Sequence, residues 1–236
     1  MTSLAAGPVA PARPHTDPGL LPSTATRSPG ADGDVPAGAG DGTARGAGSA
    51  SMVRAALGAD AFARLHPALQ RFHALQGRVG LQGHATTAPP AGLLARLLGG
   101  LLGTPLQART GPVAFVLEAG PREERWTRHF PGRTMRSRLR LQPDGRIAER
   151  LGPARLVFRL QVTDGGLAMH LQSLHFAGVP CPGWLRPRVV AEERGTDAAG
   201  NSGARLHFDV RAAVPLLGMV ARYHGWLDLA TAEVLA

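Results

Sequence analysis

The chain has no lysine, one cysteine and one tyrosine among its 236 residues. The lone cysteine, Cys181, excludes an intramolecular disulfide and any metal site built from several cysteines. No apolar run approaches the ~20 residues that span a bilayer. Neither a Gly-x-Ser-x-Gly elbow nor a Gly-rich dinucleotide fingerprint occurs. The sequence therefore predicts no cofactor and no transmembrane segment, and no motif identifies a reaction.

All 26 basic side chains are arginines, and the net charge is +9. The first fifty residues hold three arginines against four aspartates, so the positive excess lies in the remainder. Such a balance informs solubility and non-specific binding rather than fold. The single cysteine favours a reducing bacterial cytoplasm as the compartment.

Residues 1–50 are almost entirely Gly, Ala, Pro, Ser, Thr and Asp. A segment with so little apolar surface cannot offset its ordering entropy, so we expect a disordered tail. Prolines interrupt every run that could serve as a secretory signal. The expected organisation is thus a tail over residues 1–50 and one mainly β domain over residues 51–236.

Short alternating apolar and polar stretches, broken by turn residues, fill the chain from Arg122 to Asp228. In the clearest stretch, the apolar positions Leu156, Phe158, Leu160 and Val162 are interleaved with polar residues. A period of two indicates a strand with one buried face. About ten such strands with hairpin-length links predict a curled antiparallel up-and-down sheet or barrel. The strands are expected at residues 78–86, 113–118, 123–130, 134–141, 147–151, 154–163, 167–176, 188–194, 204–213 and 220–227.

Two stretches are expected to be helical. Residues 51–76 form N-terminal helices, with Ser51 as a cap and Pro67 at the first position of a later helix. Residues 92–103, GLLARLLGGLLG, are the most hydrophobic part of the chain, with Arg96 as their only charge. A membrane-surface helix would carry more cationic residues. We therefore expect this helix to pack on the sheet, where it would either plug one end of a barrel or lie across its mouth as a lid.

Several short motifs, in a fixed order, resemble a bacterial family known as domain of unknown function 4166. They are Leu65-His66-Pro67, Arg71-Phe72-His73, Glu149 to Pro153, Val179-Pro180 with Trp184-Leu185, Phe208-Asp209-Val210, and Pro215 to Gly218 followed by Arg222 to Leu227. The resemblance extends from about Leu65 to Leu229. It implies no activity and no catalytic residues. It does imply a possible separate oxidoreductase-like partner, since the family is often joined to such a domain.

The polar residues of these motifs are the candidate site: Glu149, Arg150, Arg222, Tyr223, His224 and Trp226. Inside an apolar barrel they would anchor an amphipathic ligand, or they could do acid–base chemistry on it. They could equally form a structural network, in which a Glu–Arg pair braces the barrel and the aromatic rings close one end.

Two other clusters are weaker candidates. Arg136, Arg138 and Arg140, with Arg125, Arg128 and Arg133 across a turn, would form a cationic strip that could bind phosphate, lipid or RNA. A solvated outer face is the simpler interpretation, and nucleic acid is not expected because few aromatic residues lie nearby. His66 and His73, two turns apart, could join His84 at a metal, but their spacing favours capping and packing.

From the sequence we expect non-catalytic binding of a small apolar or amphipathic ligand in a barrel-like cavity. One alternative is an isomerase- or cyclase-like enzyme that uses Glu149 with Tyr223 and His224. The other is an accessory domain that docks an oxidoreductase through its basic face.

Overall fold

The computed structural model describes residues 51–197, 199 and 203–236. The predicted disordered tail, residues 1–50, lies outside the described residues. Four helices are α1 (Met52–Leu57), α2 (Ala59–Ala63), α3 (Pro67–His73) and α4 (Leu93–Leu102), and a 3-10 turn covers Gly183–Leu185. Among the described residues, none of these helices combines the length and apolarity that crossing a membrane requires.

Eleven strands are formed by the described residues. They are β1 (Gly77–Ala88), β2 (Arg109–Ala119), β3 (Glu123–Phe130), β4 (Arg133–Leu141), β5 (Ile147–Leu151), β6 (Ala154–Thr163), β7 (Gly166–Phe176), β8 (Val179–Pro180), β9 (Arg188–Thr196), β10 (Arg205–Val214) and β11 (Gly218–Val234). Ten of these match the predicted strands, and three have the predicted bounds. The two-residue strand β8 was not predicted, because it contains a proline and is too short to show a period.

The strands close into an antiparallel barrel. Their order is β6-β5-β4-β3-β2-β1-β11-β10-β9-β7, and β6 pairs with β7 to complete the circle, while β8 adds to the edge of β7. Most neighbours are consecutive in the chain, as hairpin-length links require. The predicted turn between β6 and β7 has positive φ at Asp164 and Gly165, the backbone that two-residue hairpins favour. The mainly β, up-and-down fold class is confirmed.

Alternation along each strand divides the barrel into an inner and an outer face. On β4, Met135, Ser137 and Leu139 are buried, whereas Arg136, Arg138 and Arg140 are exposed, as predicted. On β6, Leu156 and Phe158 face the interior. The periods of two read from the sequence therefore correspond to the barrel wall.

Helices α1 to α3 close one end of the barrel. Ser51 caps α1, since its hydroxyl oxygen accepts a hydrogen bond from the Arg54 backbone N–H at 3.2 Å. The predicted first helix is two helices, because Gly58 between them has φ +82°. Pro67 begins α3 as predicted, and Phe72 is packed against Phe115 and Trp126 inside the barrel. This end is filled by side chains.

Helix α4 lies across the opposite end. The Ala91 N–H just before it bonds to the Met219 carbonyl at 2.8 Å, and Arg133 Nη2 donates to the Gly100 carbonyl at 2.9 Å. Ala95 and Gly99 are buried, and Leu98 and Leu102 line the interior. The predicted packing of this helix on the sheet is confirmed. Only part of its leucine face meets the barrel, since Leu93, Leu94, Leu97 and Leu101 are 58–74% exposed.

Candidate ligand cavity

The barrel interior is partly hollow. Between α4 and the Phe72 plug lies a cavity of about 160 Å³, lined by aliphatic and aromatic side chains from most strands. Large residues of the α3 end fill the rest of the interior. The cavity exists because one face of each strand supplies apolar side chains, while the barrel circumference exceeds what those side chains fill.

A few polar groups interrupt the apolar wall of the cavity. Arg128 comes from β3, Glu149 from β5 and Tyr223 from β11, while Glu192 and Glu193 come from β9. Glu149 and Tyr223 belong to the six residues predicted from the sequence. Arg128 had been assigned to the outer cationic strip, and that assignment is wrong.

Arg128 faces inward because it shares strand parity with Glu124, Trp126 and Phe130, which are all buried. Its guanidinium carbon lies 4.7 Å from the centre of the Trp126 ring, a cation–π distance. Its Nη1 donates to Ser137 Oγ at 3.2 Å. Among the described residues no carboxylate lies within 4.0 Å of this guanidinium. A cation with unused donors therefore faces an apolar space.

Tyr223 is buried against Phe130 and Phe208, with ring centres 5.0 and 6.2 Å away. Its burial raises the pKa of the phenol, the nearby Glu149 and Glu193 carboxylates add to that effect, and Arg128 opposes it. The hydroxyl is thus a neutral donor at physiological pH. Arg128 and Glu149 each influence the Tyr223 phenol, and all three residues line the same cavity.

A second polar group lies where the cavity meets α3. His73 Nε2 and Glu193 Oε2 are 2.8 Å apart, and both residues are buried. Nearby, Trp126 Nε1 donates to the buried Glu124 carboxylate at 2.7 Å. Burial alone would lower the pKa of His73, but attraction and a hydrogen bond from Glu193, with a further contribution from Glu124, raise it. This arrangement favours an imidazolium–carboxylate pair inside the barrel.

Glu124 is itself nearly excluded from solvent. Burial raises the pKa of its carboxyl group, and the charge of His73 and the Trp126 hydrogen bond only partly offset the rise. The sequence does not predict the His73 group, because its partners, Glu124 and Glu193, lie 51 and 120 positions along the chain, on other strands. A His and a Glu at such separation carry no local pattern.

The remaining four predicted residues do not face the cavity. Arg150, Arg222 and His224 are exposed because each alternates with an inward neighbour on its strand. Trp226 lies on the same outer face, where its ring stacks on His84 at 6.4 Å and the Arg205 guanidinium lies 4.1 Å above it. The structure therefore brings together Glu149 and Tyr223 and separates them from the other four.

The outer arginines are largely compensated near Glu123. Arg138 Nη2 and Arg140 Nη2 each donate to Glu123 Oε2 at 2.8 Å, and these hydrogen bonds lower the pKa of the Glu123 carboxyl to about 2. Arg133 is bound instead to the carbonyls at the end of α4. The predicted strip is thus divided: Arg128 points inward, Arg133 fixes α4, and Glu123 pairs with Arg138 and Arg140.

The histidines considered for a metal are apart. His66 caps α3, its Nδ1 accepting from the Ala68 N–H at 3.2 Å, His73 pairs with Glu193, and His84 lies outside on Trp226. In the part of the chain that the structure describes, no three His, Cys, Asp or Glu residues are grouped so as to hold a metal ion.

The fold and cavity define a class of protein, a closed antiparallel barrel with a small apolar interior. The family model described as domain of unknown function (DUF4166) matches residues 65–227. The chain belongs to that family, as its motifs indicated.

The solved crystal structure of Rv2717c from M. tuberculosis is similar over 70% of this chain and 98% of that one, with 13% identity and a TM-score of 0.35. No curated protein matches the chain.

Proposed function

We propose that this protein binds a small apolar or amphipathic ligand inside the barrel. The observation that supports the proposal is the cavity of about 160 Å³, walled by apolar side chains with few polar groups. Binding sites for small molecules commonly combine such a wall with a few placed polar groups. A cavity of about 150 Å³ holds a molecule of benzene size. The apolar part of the ligand should therefore be small, or should extend past α4.

The polar end of the ligand is best matched by a carboxylate. Arg128 has no carboxylate partner among the described residues, and charge-assisted hydrogen bonds to a guanidinium are the strong ones. The neutral Tyr223 hydroxyl is a second donor in the same cavity. A medium-chain fatty acid has both the apolar body and the acidic group that these side chains require.

Binding is better supported than catalysis. The enzymatic alternative needs Glu149, Tyr223 and His224 to meet around one substrate, because general acid–base groups act within hydrogen-bond reach. His224 is exposed on the outer face, so the cavity offers Glu149 and Tyr223 without it.

We propose that this binding takes place in the cytoplasm, because the chain has a single cysteine. An accessory role beside an oxidoreductase stays a prediction.

A comparison of octanoate with octanol separates the contribution of the carboxylate from that of the apolar chain. We expect octanoate to raise the thermal unfolding midpoint more than octanol does, because only the acid can pair with Arg128. Arg128→Met keeps the stem over Trp126 but removes the charge. It should weaken octanoate binding at least about tenfold, since a hydrogen bond to a charged group contributes about 1.5–3 kcal/mol. Isothermal titration calorimetry gives the affinities.

Arg136→Met is the matched control, since Arg136 is exposed on the outer face of β4. It should leave octanoate affinity unchanged. Equal losses in the two variants would contradict the anchoring role of Arg128. Absence of any shift with both compounds would contradict binding of this ligand class.

A further inference from the structure

The barrel end that carries α4 exposes an unusual number of apolar side chains. On α4 itself, Leu93, Leu94, Leu97 and Leu101 are 58–74% exposed. Large apolar residues of the neighbouring turns are exposed too: Phe176, Val179, Trp184 and Leu216. Contiguous exposed apolar surface usually marks an interaction site. We call these eight residues the apolar rim.

Contacts between the segments place the rim at one end. The turn that holds Leu216 meets the start of α4, since Gly218 approaches Ala91. The β5–β6 turn meets the far end of α4, where Gly152 lies against the Leu101 carbonyl. The Ala177 N–H, between β7 and β8, donates to the Pro153 carbonyl of that same turn at 2.9 Å. Helix α4 therefore bridges the turns that carry the other rim residues.

The turns and strand ends around α4 contain no acidic residue, and the acidic residues nearest to them in sequence are Glu149, Glu192 and Asp209. The segments that build this end are residues 89–112, 128–137, 150–156, 174–191 and 211–225, and none contains Asp or Glu. They contain eleven arginines: Arg96, Arg109, Arg128, Arg133, Arg136, Arg150, Arg155, Arg186, Arg188, Arg211 and Arg222. The exposed Arg96, Arg186, Arg188 and Arg222 form no ion pair within the described residues. The surface around α4 thus carries arginines without acidic neighbours in the same segments.

We propose that the α4 end docks on an anionic lipid bilayer. Leucines and a tryptophan that enter the interface, surrounded by arginines that meet lipid phosphates, are the two elements of peripheral membrane binding. Helix α4 carries too few cationic residues for a membrane-surface helix. Arginines of the neighbouring segments supply the missing positive charge. This docking does not require that the cavity hold a ligand.

Other occupants fit the surface less well. A second copy of the chain would bring two uncompensated cationic surfaces together, which is repulsive. Nucleic acid would use aromatic rings for stacking, whereas the rim is mostly aliphatic. An anionic bilayer satisfies both the charge and the aliphatic character.

Vesicle flotation tests the docking. The full chain is mixed with vesicles of equal parts phosphatidylglycerol and phosphatidylcholine, or of phosphatidylcholine alone. We expect it to float with the anionic vesicles only, and less as salt increases. The double variant Leu97→Glu, Leu101→Glu should bind at least about tenfold more weakly, because it removes two exposed leucines that would enter the bilayer and adds charge repulsion. Arg96→Gln with Arg188→Gln should cost about fivefold per arginine.

Matched controls come from the other end of the barrel. Val234→Glu changes a residue that is 79% exposed, and Arg71→Gln changes an exposed arginine of α3. Both should bind the anionic vesicles like the unaltered chain, and circular dichroism should show that all variants are folded. Flotation that is absent, equal with both lipids, or equally reduced by the controls would overturn the proposal. So would a dimer in solution that the leucine variant dissociates, since the rim would then be covered by a second copy.

Discussion

Replacing Glu193 by alanine is expected to lower the free energy of unfolding by about 3 kcal/mol near pH 6, because a buried His73 loses its partner. The two side chains are 2.8 Å apart and shielded from water. Within the described residues, His73 Nδ1 has no hydrogen-bond partner either, so the imidazole has no substitute for Glu193. Urea unfolding followed by circular dichroism measures the loss.

The stability lost in Glu193→Ala should become smaller as the pH rises. The folded-state pKa of His73 is raised above its ordinary value of 6.5. Its contribution to stability is therefore complete below about pH 6.5 and is lost as pH rises through the folded-state pKa. Hence the difference between the unaltered chain and Glu193→Ala should shrink in alkaline solution.

The double variant His73→Leu, Glu193→Leu is the control for this account. Replacing both members of a buried pair by apolar residues is often close to neutral. It should therefore recover most of the stability that Glu193→Ala loses. A double variant as unstable as the sum of two single losses would show that packing, rather than the charge pair, is responsible.

Gly83→Ala should destabilise the barrel by roughly 3 kcal/mol, at the upper end of what overpacking costs. A Cβ at Gly83 would lie 1.9 Å from the Trp226 carbonyl oxygen, on the neighbouring strand β11. Backbone cannot give way as a flexible side chain can, so β1 and β11 would have to separate. Thermal unfolding of the variant measures the effect.

Gly100→Ala makes the same chemical change where space is open. Nothing lies within 4 Å of a Cβ at this position of α4, and alanine favours a helix over glycine by up to about 1 kcal/mol. This variant should be unchanged or slightly more stable. Similar losses at both glycines would contradict the close approach of β1 to β11.

The strands were the most predictable part of the structure. Alternation needs only local sequence, and it located β3, β5 and β6 to the residue. What it left open was which parity faces inward on a strand where both faces carry polar groups. On β3 the inward-facing residues are Glu124, Trp126, Arg128 and Phe130. Because two of them are charged, the sequence pattern does not show which face of the strand is buried. The misplacement of Arg128 follows from this ambiguity.

The candidate site was predictable only in part. Glu149 and Tyr223 were found through family motifs, but motifs ignore alternation, so their neighbours Arg150, Arg222 and His224 were included. The exposed leucines of α4 show a related limit. A run so apolar is expected to be buried, yet its inward face consists of Ala95, Leu98, Gly99 and Leu102, which follow the helical period. The remaining leucines lie on the opposite side of the helix and are exposed.

Native mass spectrometry after incubation with a lipid extract tests the ligand-binding proposal most directly. Protein freed of unbound lipid should carry an additional mass that corresponds to a fatty acid or isoprenoid. Ala212→Phe, which enlarges a side chain of the cavity wall, should lose that mass, whereas Ala63→Phe on the exposed side of α2 should retain it. The mass of the bare polypeptide alone, in the unaltered protein, would contradict a ligand-binding barrel.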